Sequence, residues 1–218
     1  MLASRGLFLT FEGPDGSGKS TQVRLLVERL RGLGYPVLHN AEPGGTRIGQ
    51  QIRAILLDAA NQELCAPSEL LLMFAARAQN VEEAILPALN GGQIVVSDRF
   101  TDSTLAYQGA ARGLGEQVVR DVDRIACQGL VPDLTLCIDI DESTGLARAH
   151  SRNRVRTGLS ESRIDEQSLE FHQKARAAYH ALAKAEPARF RLIDGDADEA
   201  TVAARVWDVV SPVLPKLA

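Results

Sequence analysis

Residues 13–20 read Gly-Pro-Asp-Gly-Ser-Gly-Lys-Ser, and this short run constrains the fold more than any other part of the chain. It fits the pattern G-x-x-x-x-G-K-[ST], whose glycines let the backbone curl until several amide hydrogens converge. An apolar run at residues 7–11 precedes it, and apolar residues at helical spacing follow from Val23. Converging amides at the start of a helix attract phosphate oxygens, because the helix N-terminus is partly positive. The run therefore predicts a nucleotide phosphate site between a strand and a helix.

The side chains of this loop are expected to divide the binding of ATP and Mg²⁺ between them. We expect Lys19 to reach the β- and γ-phosphates and the Ser20 hydroxyl to ligate Mg²⁺. Asp98 follows another apolar run, residues 93–97, and would be a second Mg²⁺ ligand beside the loop. A plain surface ion pair with Arg99 is the alternative for this aspartate. The predicted ATP-binding residues are Gly13, Pro14, Asp15, Gly16, Ser17, Gly18, Lys19, Ser20 and Thr21.

Short apolar strands alternate with longer helical segments along the chain. The predicted strands cover residues 7–11, 36–39, 93–97, 134–140 and 190–193. Besides the helix after the loop, helical patterns cover residues 48–57, 68–89, 142–150, 166–184 and 199–214, and two shorter stretches meet near 113–115. Ser68 is the expected N-cap of the helix at 68–89. This order predicts an α/β fold, a five-stranded parallel sheet with helices on both faces and ligands beyond the strands' carboxyl ends.

Composition excludes several classes of protein. The 24 basic and 28 acidic residues give a net charge of −4, which disfavours wrapping of a nucleic-acid backbone. No apolar run approaches the roughly 20 residues that span a bilayer. Three widely spaced cysteines predict buried, reduced thiols rather than a disulfide framework. We expect a single cytoplasmic domain over residues 1–218, with no nucleic-acid and no membrane partner.

A polar segment rich in arginine interrupts the alternation of strands and helices. Residues 148–163 contain one acid, Glu161, and five arginines: Arg148, Arg152, Arg154, Arg156 and Arg163. Gly158 and the lack of apolar periodicity predict a mobile lid over about residues 151–164. Cationic loops that close over transferring phosphates stabilise charge and exclude water. A merely solvated basic loop is the alternative reading of the same composition.

Arg156 is the first candidate for a catalytic arginine in this lid. It directly precedes Thr157-Gly158, where the loop can bend inward. Arg152 and Arg154 are the alternates, because the spacing alone does not decide which guanidinium meets the phosphates. A planar guanidinium suits phosphate oxygens through paired hydrogen bonds.

Further segments resemble the bacterial thymidylate kinase family over essentially the whole chain. They are F-E-G-P-D-G-S-G-K-S-T (11–21), E-P-G-G-T (42–46), F-A-A-R-A-Q (74–79), D-R-F (98–100) and A-Y-Q-G (106–109). The phosphate loop is common to many kinases, whereas E-P-G-G-T, D-R-F and A-Y-Q-G in this order are specific. The resemblance implies a P-loop kinase fold, ATP- and Mg²⁺-dependent phosphorylation of dTMP to dTDP for dTTP biosynthesis, and a homodimer.

The resemblance also implies roles for individual residues around dTMP. Asp15 and Glu42 would face the deoxyribose 3′-hydroxyl, and Tyr107 would crowd the position of a ribose 2′-hydroxyl. The residues implied for the phosphate and the base are Arg53 and Arg99 for the dTMP phosphate, Arg77 for the thymine carbonyl, and Thr104 and Gln108 beside the base. Phe74 would stack on thymine, although the family usually has its aromatic at the position of Met73. The expected catalytic residues are Asp15, Lys19, Arg99 and Arg156.

Two other functions fit the phosphate loop alone. One is a kinase of the same fold that acts on a different nucleotide, a sugar or a shikimate hydroxyl. The segments E-P-G-G-T and A-Y-Q-G disfavour it. The other is a nucleotide-dependent switch or partition ATPase, which would hydrolyse ATP without any acceptor. The sequence contains no feature that supports such a switch.

Overall fold

Five parallel strands form one sheet in the part of the chain that the structure describes. This computed structural model describes residues 5–155, 163–164 and 166–216, and for residues 149–155 it describes the backbone alone. The strands are β1 (Phe8–Glu12), β2 (Val37–Ala41), β3 (Ile94–Asp98), β4 (Leu134–Asp139) and β5 (Phe190–Asp194). Their order in the sheet is β2-β3-β1-β4-β5. The predicted parallel sheet is confirmed, and each strand lies within two residues of its predicted bounds.

Helices cover both faces of this sheet. They are α1 (Lys19–Gly32), α2 (Arg47–Leu57), α3 (Ala66–Asn80), α4 (Leu86–Asn90), α5 (Thr101–Thr104), α6 (Glu116–Ala126), α7 (Glu142–Val155), α8 (Leu169–Ala185) and α9 (Glu199–Val210). One apolar cluster contains Phe8 and Phe100, and a second contains Leu9 and Val23. Neighbouring residues of β1 contribute to different clusters because successive strand side chains point to opposite faces. The α/β prediction is therefore confirmed, whereas the single-domain assignment over 1–218 stays a prediction.

The long helix predicted at 68–89 has three parts. Helix α3 continues into a π-helical segment, Val81–Ile85, and then into α4. The expected N-cap at Ser68 is wrong, because Cys65 occupies that position and Pro67 lies in the first turn. Proline suits the first turn of a helix, where its fixed φ is already helical and no amide hydrogen is needed.

The first residues of the predicted lid, 151–155, belong to a helix. Helix α7 continues through residue 155, so the polar residues 151–155 are helical rather than a loop. These residues lack the apolar periodicity that predicts a helix, but arginine has a high helix propensity of its own. Residues 156–162, which include Arg156, lie outside the described residues, as do the side chains of Arg152 and Arg154.

The structure also bears on the predicted state of the cysteines and on the search for membrane-spanning segments. Cys127 and Cys137 are buried free thiols, as predicted, whereas Cys65 is exposed at the start of α3. None of the helices within the described residues combines the length and hydropathy needed to cross a membrane.

Candidate active site

A cavity of about 970 Å³ opens at the carboxyl ends of β1, β2 and β3. The sheet order explains its position, because β3 lies between β1 and β2 and brings three strand ends together. Most predicted site residues line it, namely Asp15, Gly16, Gly18, Lys19, Ser20, Thr21, Glu42, Arg53, Arg77, Asp98, Arg99, Thr104, Tyr107 and Gln108. Gly13, Pro14 and Ser17 of the loop are buried behind this wall.

Lys19, the first residue of α1, is held against the loop that precedes it. Its Nζ atom donates to the carbonyl oxygens of Gly13 (2.8 Å) and Pro14 (2.7 Å). Burial, followed by the charge of Arg99, lowers the pKa of Lys19 to about 8. A buried cation that donates to two neutral carbonyls is well placed to gain from an anionic partner, since hydrogen bonds between charged groups are the stronger ones.

Ser20 and Asp98 form a pair of oxygen donors at the edge of the cavity. Ser20 Oγ donates to Asp98 Oδ2 over 2.6 Å, which joins the first turn of α1 to the end of β3. Mg²⁺ prefers hard oxygen ligands and usually takes only one or two from the protein, the rest being water and phosphate. The described residues contain no cluster of three acidic, histidine or cysteine side chains suited to a metal. This donor set fits a Mg²⁺ ion that is bound together with nucleotide phosphates.

Asp15, Arg99 and Tyr107 meet in the wall of the cavity. Arg99 Nη2 donates to Asp15 Oδ1 over 2.6 Å, and the Tyr107 hydroxyl donates to Asp15 Oδ2 over 3.0 Å. Burial alone raises the pKa of Asp15, but the charges of Arg99 and Lys19 outweigh it and hold this pKa below its usual range. The aspartate is therefore an ionised acceptor that fixes the direction of a guanidinium.

Arg99 has a backbone conformation that non-glycine residues rarely adopt. Its φ is 73°, in the left-handed region. Its amide donates to the Phe11 carbonyl over 2.9 Å, and its own carbonyl accepts from Ser97 Oγ over 2.8 Å. These bonds hold the turn directly after β3. Such a conformation costs about 1–3 kcal/mol, and its retention next to a cavity is typical of functional sites.

Beneath Arg99 lies a buried acid that the sequence analysis did not single out. Glu12, fully buried, accepts hydrogen bonds from the Phe100 amide (2.8 Å), from Ser103 Oγ and from the Tyr179 hydroxyl (3.2 Å). Ser103 Oγ in turn accepts from Arg99 Nη1 over 2.9 Å. Burial, followed by the charge of Asp102, raises the pKa of Glu12 to about 7. An acid that ends an apolar strand was the one available signal for this network.

Arg77, which also lines the cavity, is fixed by two polar neighbours. Its Nε donates to Glu42 Oε2 over 2.6 Å, and its Nη1 donates to Thr104 Oγ1 over 3.0 Å. The second oxygen of Glu42 accepts from Asn80 Nδ2 over 2.8 Å. Glu42 lines the cavity and precedes a cis peptide bond to Pro43. Glu42 thus orients Arg77, a contact that the sequence did not predict.

The structure corrects the expectation for Phe74. Its side chain is only 2% exposed and belongs to the apolar core, where the Arg77 guanidinium carbon lies 4.9 Å from its ring centre. Met73 lines the cavity instead. Adjacent helix positions point about 100° apart, so the one-residue shift in spacing turns the aromatic ring away from the ligand side. Phe74 therefore supports Arg77 from behind.

Three other arginines differ in their surroundings. Arg53, on α2, lines the cavity and donates from Nη1 to the Pro43 carbonyl over 2.9 Å. Arg148, on α7, also lines the cavity. Arg163 is wrongly placed by the lid prediction: it is 2% exposed and donates to the Leu56 carbonyl and to Glu69, each over 2.6 Å. Composition cannot distinguish a buried, paired arginine from a solvated one.

The fold and the cavity together define a class of protein. A phosphate loop that joins β1 to α1, a serine–aspartate oxygen pair and several converging arginines are the features of a P-loop kinase. A sequence model described as thymidylate kinase matches residues 11–206 of the chain. The chain belongs to the thymidylate kinase family.

Individual relatives agree with this assignment. The thymidylate kinase of Pelobacter propionicus is 53% identical over 190 residues, which cover 87% of each chain. That of Solidesulfovibrio magneticus is 49% identical over 209 residues, 95% of this chain and all of the relative. Among solved structures, a thymidylate kinase from Ehrlichia chaffeensis has a TM-score of 0.77 at 32% identity and covers 95% of this chain and 99% of its own.

Proposed function

We propose that the chain transfers the γ-phosphoryl group of ATP to the phosphate of dTMP, giving dTDP and ADP. One observation carries the proposal: a single cavity is lined by the phosphate loop, with Lys19 and the Ser20–Asp98 pair, and also by the buried arginine Arg77. The lining also includes Met73, Thr104 and Gln108, so one cavity offers cationic groups for phosphates and apolar and neutral polar groups for a base. Family membership supports the same reaction.

The ATP side of the site works through charge and position. Ser20 and Asp98 would hold Mg²⁺, which would neutralise part of the charge on the nucleotide phosphates. Lys19 exchanges its two loop carbonyls for phosphate oxygens, and the backbone N–H groups that the loop offers surround them. Phosphoryl transfer requires little covalent chemistry from the protein, so these contacts act mainly by stabilising charge in the transition state.

On the side of the phosphate acceptor, separate residues bind the phosphate, the deoxyribose and the base of dTMP. Arg99 and Arg53 bind the phosphate, and Arg99 reaches the cavity beside Lys19. Asp15 accepts from the 3′-hydroxyl, while the Tyr107 ring occupies the space of a ribose 2′-hydroxyl. For the base, Arg77, Thr104 and Gln108 supply polar contacts and Met73 supplies the apolar one.

A further cation is needed where two anionic nucleotides meet. Arg148 lines the cavity and is the lid-side arginine whose side chain the structure describes there. Arg156, our first choice from the sequence, stays a proposal because it lies outside the described residues. A guanidinium supplied from this side would neutralise charge that develops on the transferring group.

We also propose that the enzyme is a cytoplasmic homodimer. Helix α3 packs on both α2 and α6, and these three helices expose apolar residues. They are Ile48, Ile55, Leu71, Val118 and Ile125, the last 83% exposed. Several exposed apolar residues on helices that pack together are a feature of subunit interfaces. Light scattering at micromolar concentration should give twice 23.5 kDa, and a mass near 23.5 kDa would contradict the dimer.

An acceptor panel tests the proposed reaction. ADP release is measured with ATP, Mg²⁺ and, in turn, dTMP, dUMP, dCMP, dGMP and AMP. We expect the highest kcat/KM with dTMP and almost no ADP without an acceptor. Lys19→Ala is the matched control, and it should lose at least two orders of magnitude in rate. Turnover of ATP without an acceptor would instead support the switch ATPase.

A further inference from the structure

Glu69, in the first turn of α3, is the centre of a buried polar cluster outside the reaction described above. It is fully buried, yet it accepts four hydrogen bonds. Arg163 Nη2 donates over 2.6 Å, Arg112 donates from Nη2 and Nε over 3.1 and 3.2 Å, and Gln108 Nε2 donates over 2.8 Å. Burial alone raises the pKa of Glu69, but the bonds from Arg112, Gln108 and Arg163 hold it below its usual range. The carboxylate is therefore ionised.

An ionised carboxylate fixes which way the Gln108 amide faces. A carboxylate can only accept hydrogen bonds, whereas a glutamine amide has one donating and one accepting end. Gln108 must therefore turn its NH₂ group to Glu69 and its carbonyl oxygen, Oε1, the other way. Gln108 lines the cavity, and within the described part of the chain its Oε1 accepts no hydrogen bond. The cavity wall at this position thus carries a hydrogen-bond acceptor.

Arg77 lines the same cavity and supplies hydrogen-bond donors. A guanidinium can only donate, and two of its nitrogens are already engaged by Glu42 and Thr104. Arg77 and Gln108 both line the cavity, so its wall offers the remaining guanidinium nitrogen as a donor and the Gln108 carbonyl as an acceptor. Thymine and uracil present the complement, the acceptor O4 beside the donor N3–H. Cytosine presents the reverse, an amino donor beside an unprotonated N3. Guanine shares the thymine pattern and differs in having two rings.

We propose that Glu69 is a positioning residue that sets base specificity through Gln108, so that the site takes bases with an N3–H donor and rejects cytosine. Glu69 does not touch the substrate. It acts by keeping the Gln108 amide in one of its two orientations. When cytosine enters, the Gln108 carbonyl oxygen then faces the cytosine N3, and both atoms are hydrogen-bond acceptors. This inference rests on the proposed function, because it requires that dTMP binds with its base between Arg77 and Gln108.

The test is the ratio of kcat/KM for dTMP to kcat/KM for dCMP in Glu69→Gln. A neutral glutamine can donate as well as accept, so Gln108 becomes free to turn its own NH₂ group to the cavity. We expect the ratio to fall at least tenfold from that of the parent. The fraction of active protein cancels from this ratio, so reduced stability alone does not move it. The ratio of dTMP to dUMP should not change, because these bases share the N3–H donor.

Two further variants complete the test. Glu69→Asp keeps the charge but withdraws the carboxylate from Gln108, and it should lower the same ratio if Glu69→Gln does not fold. Arg112→Met removes one partner of Glu69 and leaves the bond to Gln108 intact, so its ratio should equal that of the parent. An unchanged ratio in both Glu69 variants, or an equal fall in Arg112→Met, would overturn the inference. A parent enzyme inactive with dTMP would overturn the proposed function instead.

Discussion

Gly16 of the phosphate loop and Gly145 of α7 touch backbone to backbone. A Cβ atom added to Gly16 would lie 2.0 Å from the Gly145 carbonyl oxygen, and one added to Gly145 would lie 2.5 Å from the Asp15 carbonyl oxygen. Neither position can give way through a flexible side chain, because the atoms in contact belong to the backbone. The loop that binds phosphate and the helix that carries Arg148 are therefore held in one fixed relation.

Gly145→Ala should disturb the phosphate loop without touching its sequence. The added methyl group forces Asp15 and α7 apart, so the loop amides lose their alignment and the KM for ATP should rise at least tenfold. Steady-state kinetics at varied ATP measures this. Gly32→Ala, at the end of α1, is the matched control because its Cβ meets nothing within 4 Å. An unchanged KM for ATP in Gly145→Ala would show that the contact is not needed for binding.

Arg148 and Arg163 should respond differently to removal. Arg148→Met takes a cation from the cavity, and we expect kcat to fall by roughly ten- to a thousandfold with little change in the KM for dTMP. Arg163→Met leaves part of the Glu69 charge unpaired in the interior, and we expect roughly 3 kcal/mol lower stability. Rates and urea midpoints of both variants separate the two effects. A stable Arg163→Met with reduced kcat would restore Arg163 to the lid.

Tyr107 should govern the choice between deoxyribose and ribose. Its ring is nearly buried in the cavity wall, and its hydroxyl is tied to Asp15. Tyr107→Phe keeps the ring and should keep most of the preference for dTMP over the ribonucleotide, whereas Tyr107→Ala should relax it by about tenfold or more. The measurement is the ratio of kcat/KM for the two nucleotides. Equal ratios in Tyr107→Ala and the parent would mean that the ring serves packing alone.

Glu12 should make stability depend on pH. Its carboxyl titrates near 4.5 in the unfolded chain, and its pKa is raised to about 7 in the fold by burial. Between these values the folded state binds more protons, so this contribution to stability is complete below pH 4.5 and is lost as pH rises through 7. The Tm of the parent relative to Glu12→Gln should fall from pH 5 to pH 8. The exposed acid Glu28 offers the control, and Glu28→Gln should show no such slope.

The sequence predicts those features whose cause is local. A glycine-rich run after an apolar strand fixes the phosphate loop, and strand order then brings Ser20 to Asp98. The sequence does not indicate a role for Glu12 or Glu69, because their partners lie far along the chain. Glu12 bonds to Tyr179, and Glu69 bonds to Gln108 and Arg163. No periodicity marks an acid whose importance arises only from tertiary contacts.

The prediction that placed Phe74 on the base and the prediction of an arginine-rich lid departed from the structure for different reasons. Met73 and Phe74 are both apolar, so helical spacing cannot decide which of them faces the ligand. The structure decides it by packing Phe74 into the core. The two described ends of the arginine-rich segment differ from a mobile loop, because composition counts charges and does not show burial. Helix α7 runs through its first residues.

The position of β1 has a consequence for the synthesis of the protein. Residues of β1 pair with β3 on one side and with β4 on the other, where Glu12 lies opposite Cys137. The strand that leads into the phosphate loop therefore gains its second neighbour only after the ribosome has passed residue 139. At typical synthesis rates this occurs on the order of ten seconds after β1 itself is made. During that interval β1 lacks its β4 neighbour, and apolar strand surface left uncovered in a partly folded chain is prone to aggregation.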